Sequence, residues 1–136
     1  MMTYVACYFA ALFVFVVLDM AWLAAMAPRL YRPTLDNILI AEVNLPPAIM
    51  FYLFYPVGLV VFALIPALKS ESITIAAAYG ALFGFLAYAT YDLTNYSTLR
   101  NWTIQLTIID LLWGTMLSAT AATVSYLAVK RLVGAG

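Results

Sequence analysis

Three aspartates stand inside apolar runs of this 136-residue chain: Asp19 in "VVLDMAW", Asp92 in "TYDLTNY" and Asp110 in "TIIDLLW". A carboxyl group in hydrocarbon is costly, and ionisable groups found there face a protein interior and mark ligand, ion or proton sites. Such groups could bind a proton, a small cation or an amine. As acid and base they could also do chemistry, or hold Mg²⁺ or Ca²⁺ through oxygen. The chain has no histidine, which excludes histidine catalysis and histidine-ligated metal or haem. No metal-ligand set and no cofactor is assigned. The Glu-x-x-His pattern of di-iron bundles is missing, as is a Gly-rich phosphate loop.

The elements that must carry these groups are membrane spans. The sequence is 67% hydrophobic and 9% charged, with a mean hydropathy of +1.02, whereas a soluble domain carries about 25% charged residues. Apolar runs of span length recur. The expected fold is an all-α polytopic membrane protein, a four-transmembrane-helix bundle forming one domain over 1–136. Its spans lie at about 4–26, 46–68, 73–96 and 103–129, each able to cross roughly 30 Å of hydrocarbon at 1.5 Å per residue. Pro46-Pro47 opens the second span where a missing N–H is harmless. Pro56 should kink that span and Pro66 should loosen its end. Between spans one and two, residues 36–42 form either a short interfacial helix or an extension of the second span. Cys7 is unpaired and reads as a small apolar filler.

Net charge is zero, so nothing recommends nucleic acid as a partner; the expected partner is the lipid bilayer. Lys69, Lys130 and Arg131 fall on the side of the termini, and Arg29, Arg32 and Arg100 on the other. The positive-inside rule is therefore tied, and the compact terminal-side loop favours both termini in the cytoplasm only slightly.

Counting along the spans puts Asp19, Asp92 and Asp110 at one depth, roughly 10 Å in from the helix ends on the same membrane face. Tyr52 and Tyr55 of span two, Tyr88, Tyr91 and Asn95 of span three, and Gln105 of span four fall in the same layer. The opposite half of each span is nearly pure Ala, Val, Leu, Ile and Phe. Gly80, Gly84, Tyr88, Asp92 and Asn95 make one helical stripe; Asp110, Gly114, Ser118 and Ala122 make another. Stripes of small residues pack against neighbouring helices. Asp19 lacks such a stripe, and its inward aim follows from cost alone. Trp22 and Trp113 each stand three residues after an aspartate, on the same helix face, so each indole N–H can reach a carboxylate or a shared partner. The structural alternative makes the two tryptophans interfacial belt residues and the aspartates interhelical hydrogen-bonding groups. Tyr4, Tyr31 and Tyr126 read as belt or packing residues.

At "YATYDLTNYSTL", together with "LDMAWL" and "IDLLWG", the chain resembles the small bacterial inner-membrane proteins catalogued as domain of unknown function twenty-one seventy-seven. The resemblance covers essentially the whole chain. Its most specific element is Tyr91-Asp92-Leu93-Thr94-Asn95 followed by Thr98-Leu99, and "PALK" at 66–69 is also similar. It implies four spans in a bacterial cytoplasmic membrane, and it assigns no activity or catalytic role.

Among functions, binding or transport at the Asp/Tyr cluster ranks first, the ligand being a small cation, a proton, or an amphipathic molecule or lipid with its tail in the dry half. Four helices are few for a transport path, so transport implies a homo-oligomer. An accessory subunit of a membrane complex ranks second and an intramembrane enzyme third.

Overall fold

The computed structural model describes residues 1–134, which form no strand among them and four long helices. We label these α1 (Met2–Leu35), α2 (Leu45–Ser70), α3 (Ile73–Thr98) and α4 (Ile104–Gly134). All four are long and apolar enough to cross a bilayer. They run alternately up and down, and each packs against its neighbours in a ring, α1 on α4, α4 on α3, α3 on α2 and α2 on α1. Large apolar side chains such as Phe9, Phe13, Phe54, Phe62 and Met116 project outward. On a soluble protein these would be a liability; around a span they meet lipid.

Helix α1 runs farther than the expected end near residue 26. It continues through a π-helical stretch, Ala27–Tyr31, and a last α-turn, Arg32–Leu35. Pro28 and Pro33 do not end it: the ladder runs past Pro28 by widening, the Arg32 N–H reaching back to the Ala27 carbonyl. Leu30 and Leu35 anchor this extension on Trp102 and Leu106 at the start of α4. Trp102 is accordingly buried, its Nε1 donating to Thr107 Oγ1 at 2.9 Å.

Neither reading of residues 36–42 survives. Asp36–Ile38 turn, and 39–44 run irregularly into α2; the helical residues of this connection belong to α1. Within α2, Pro56 is buried and leaves the helix continuous. The ladder loosens one turn later, in a second π-helical stretch at Val60–Leu64, and Pro66 then opens the final α-turns. Glu71, at φ 50°, makes the left-handed C-cap. Ser72 starts α3 by accepting the Ile75 N–H at 3.2 Å, an N-cap of the common kind.

Helices α3 and α4 are the most intimate pair, and the two small-residue stripes meet there. A Cβ on Gly80 would strike Ala122 and the Ser118 carbonyl; one on Gly84 would strike the Gly114 carbonyl and the Ser118 side chain. Gly114 in turn leaves room for the Tyr88 ring. Helix α1 carries a stripe of its own, Cys7, Ala11, Phe15 and Asp19, buried at every fourth residue. Its Phe15 is tilted against Tyr55 at 4.5 Å between centroids. The terminal half of the bundle is a dry core that includes Cys7, Ala11, Leu64, Ala67, Ala76, Leu117 and Val129.

Candidate functional site

The three intramembrane aspartates are buried, at 6% exposure for Asp19, 0% for Asp92 and 5% for Asp110. Asp19 accepts two hydrogen bonds from other helices: Tyr52 Oη donates to Oδ2 at 2.5 Å, and Trp113 Nε1 donates to Oδ1 at 3.0 Å. Asp110 Oδ1 accepts from Tyr31 Oη at 2.5 Å, and that hydroxyl accepts from Trp22 Nε1 at 2.9 Å. The Trp22 and Trp113 rings stack at 4.4 Å with 6° between planes. The echo between "LDMAW" and "IDLLW" thus becomes a crossed pair. The tryptophan of α4 serves the aspartate of α1, while that of α1 serves the aspartate of α4 through Tyr31. Neither indole bonds the carboxylate three residues before it.

Tyr31 is the residue that sequence reasoning set aside as belt or packing, and this is corrected. On a straight α-helix, at about 100° per residue, Trp22 and Tyr31 would point to opposite sides. The π-helical stretch between them closes i→i+5 and absorbs an additional residue, which turns Tyr31 back over the Trp22 side. A signal existed in "RLYRPTL", where Leu35 stands four residues after the tyrosine on the same helical face, but the prolines masked it.

Asp92 differs from the other two. No donor reaches either of its carboxylate oxygens. Asp110 on α4 is the acidic group that neighbours it. Tyr55, buried, shares a 2.6 Å hydrogen bond with Ser118 Oγ. Tyr88 is half-buried, edge-on to Tyr55 at 6.3 Å. Tyr91 is exposed and edge-on to Trp102 at 5.5 Å. Asn95 is half-buried, Gln105 is exposed, and Tyr126 is a core residue of the opposite half.

These groups border a cavity of about 920 Å³. Asp19, Asp110, Tyr31, Tyr55, Tyr88, Tyr91 and Trp113 contribute to its wall, and so do Arg32 and Asp36 from the end of α1. Leu23, Leu35, Phe51 and Ala87 line it with apolar surface, and the irregular segment 39–43 lays Leu39, Ile40, Ala41 and Val43 along it. Asp92, Asn95, Tyr52 and Trp22 do not line the cavity; Tyr52 and Trp22 act on it through Asp19 and Tyr31. Among the described residues, no three carboxylate or thiol groups converge as a metal site.

Fold and site together define an integral membrane protein, a four-helix bundle with a cavity toward one end whose mostly apolar wall carries a few polar groups. The chain belongs to the family described as Predicted membrane protein (DUF2177), which it matches over residues 4–127. No curated protein and no solved structure matches it.

Proposed function

We propose that this protein binds an amphipathic small molecule or lipid in the cavity, with the polar end at Asp19 and Asp110 and the apolar part along Leu23, Leu35, Phe51 and the 39–43 segment. One observation carries the reading: a cavity of about 920 Å³ joins two buried carboxyls to an apolar wall. Ligand pockets run to about 300–1,000 Å³, mostly apolar with a few converging polar groups. Binding is favoured over permeation because the terminal half is packed mainly with apolar side chains, which offer a polar solute little to exchange for its water. An accessory role would use the aspartates to hold helices together and would leave the cavity without purpose. The resemblance at "YDLTN" supports the bacterial cytoplasmic membrane as the bilayer concerned.

The test is native mass spectrometry of the protein released from its own membrane in mild detergent. We expect a retained small molecule or lipid that is lost from Asp19→Asn, from Asp110→Asn and from Ala87→Trp, which fills the cavity. Equal retention by wild type and all three variants refutes the reading.

A further inference from the structure

Accepting this cavity as the binding site, we propose that its ligand carries an organic cation, a protonated or quaternary amine, at its polar end. The first ground is how the buried acids are partnered. Asp19 and Asp110 receive hydrogen bonds only from neutral donors, Tyr52, Trp113 and Tyr31, and Asp92 behind Asp110 receives none. All six lysine and arginine side chains are exposed. Among the described residues, the ion pair formed is Lys130–Glu71 at 4.0 Å, in the terminal half. Buried carboxylates ordinarily have a cation beside them; here the chain supplies none.

The second ground is the cavity wall itself. It counts the carboxyls of Asp19, Asp110 and Asp36 against one guanidinium, Arg32, which is exposed and lies one helical turn from Asp36. The remaining polar wall is aromatic, made by Tyr31, Tyr55, Tyr88, Tyr91 and Trp113. Carboxylates combined with aromatic faces recognise ammonium groups by Coulomb attraction and by the ring quadrupole. An anionic head would meet the same groups as repulsion, and a neutral alcohol would gain only a hydrogen bond.

The experiment compares ligands with one chain and three heads. Purified protein in a neutral maltoside detergent is titrated with decylammonium, decanol and decanoate, and bound fractions are read by native mass spectrometry. We expect decylammonium to bind at least tenfold more tightly than either other probe. Asp110→Asn and Asp19→Asn should each remove most of that preference, and Ala87→Trp should abolish binding of the ammonium. Unchanged thermal midpoints in the asparagine variants separate lost recognition from lost folding, while the comparison of three heads in wild type needs no variant. If decanol or decanoate binds as well as decylammonium and Ala87→Trp excludes it, the cation inference fails and the cavity reading stands. If no probe binds in a way that Ala87→Trp blocks, both fail. Reconstitution into nanodiscs then separates the sources of the amine. Competition against decylammonium by phosphatidylethanolamine but not by phosphatidylglycerol identifies a lipid head group; absence of competition by either identifies a free single-chain amine.

Discussion

The hydroxyl of Tyr31 does two jobs with one oxygen, donating to Asp110 and accepting from Trp22. Removing it leaves a buried carboxylate oxygen and an indole N–H without their partner, and an unmade buried hydrogen bond costs about 1–3 kcal/mol. Tyr31→Phe should therefore lower the thermal midpoint in detergent by more than Tyr52→Phe, after which Asp19 still has the Trp113 N–H. Thermal unfolding of both variants beside wild type checks the order; equal or reversed losses contradict the network. The stacked indoles provide a second handle. Each sits on a different helix, so their contact is tertiary, and a double-mutant cycle of Trp22→Phe and Trp113→Phe should give a coupling of about 0.5–1.5 kcal/mol. At this scale much was legible. The cost of a carboxyl in hydrocarbon singled out Asp19, Asp92 and Asp110, and helical spacing singled out the two tryptophans. Which donor serves which acceptor was not legible, because hydrogen bonds that cross between helices depend on rotation and register, and these are set by packing.

Helices α3 and α4 approach closely because Gly84 and Gly114 have no side chain at their contact. A methyl at position 84 would strike backbone, the Gly114 carbonyl, and backbone cannot step aside as a side chain can. Gly58 offers the control: a methyl there would strike the end of the Phe83 ring, which can rotate away. Gly84→Ala should destabilise the bundle by about 1–3 kcal/mol, the usual cost of overpacking, and Gly58→Ala by distinctly less. Chemical denaturation in mixed micelles would show this, and equal effects would mean that the helix contact is looser than the structure has it. The same contact aligns Asp92 with Asp110, so Gly84→Ala should also weaken binding of the decylammonium probe. Elements divided in legibility along the same line. Small-residue stripes announced the faces of α3 and α4. The Cys7, Ala11, Phe15 and Asp19 stripe of α1 was readable at a spacing of four but was hidden by the large Phe15 among small residues. The extension to Leu35 was hidden by Pro28 and Pro33, since proline signals both a helix end and a permitted first-turn position.

An even number of spans puts both termini on one side of the bilayer, with Lys69 near them and Arg100 opposite. With the termini in the cytoplasm, a membrane-impermeant maleimide added to intact cells should label Arg100→Cys and leave Lys69→Cys unlabelled. Cys7 is buried and should contribute no background. The reverse pattern would invert the protein, and with it the membrane face toward which the cavity lies. Neither outcome alters the bundle, because the tie between its basic residues concerns the membrane's asymmetry and not helix packing.

Composition alone determined that this chain lives in a bilayer, and the length of its apolar runs determined four helices, since hydrocarbon leaves backbone polar groups no partner but one another. Spacing alone put three carboxyls at one depth. The tertiary structure decided that Asp19 and Asp110 are linked through the stacked Trp22 and Trp113, that Tyr31 is part of that link, and that a cavity opens beside these two while Asp92 is buried away from it without a partner. The physical reason is that depth is additive along a helix and can be counted at 1.5 Å per residue, whereas azimuth is not. One additional residue in a π-turn rotates every side chain after it, and only the packed neighbours fix where that rotation ends.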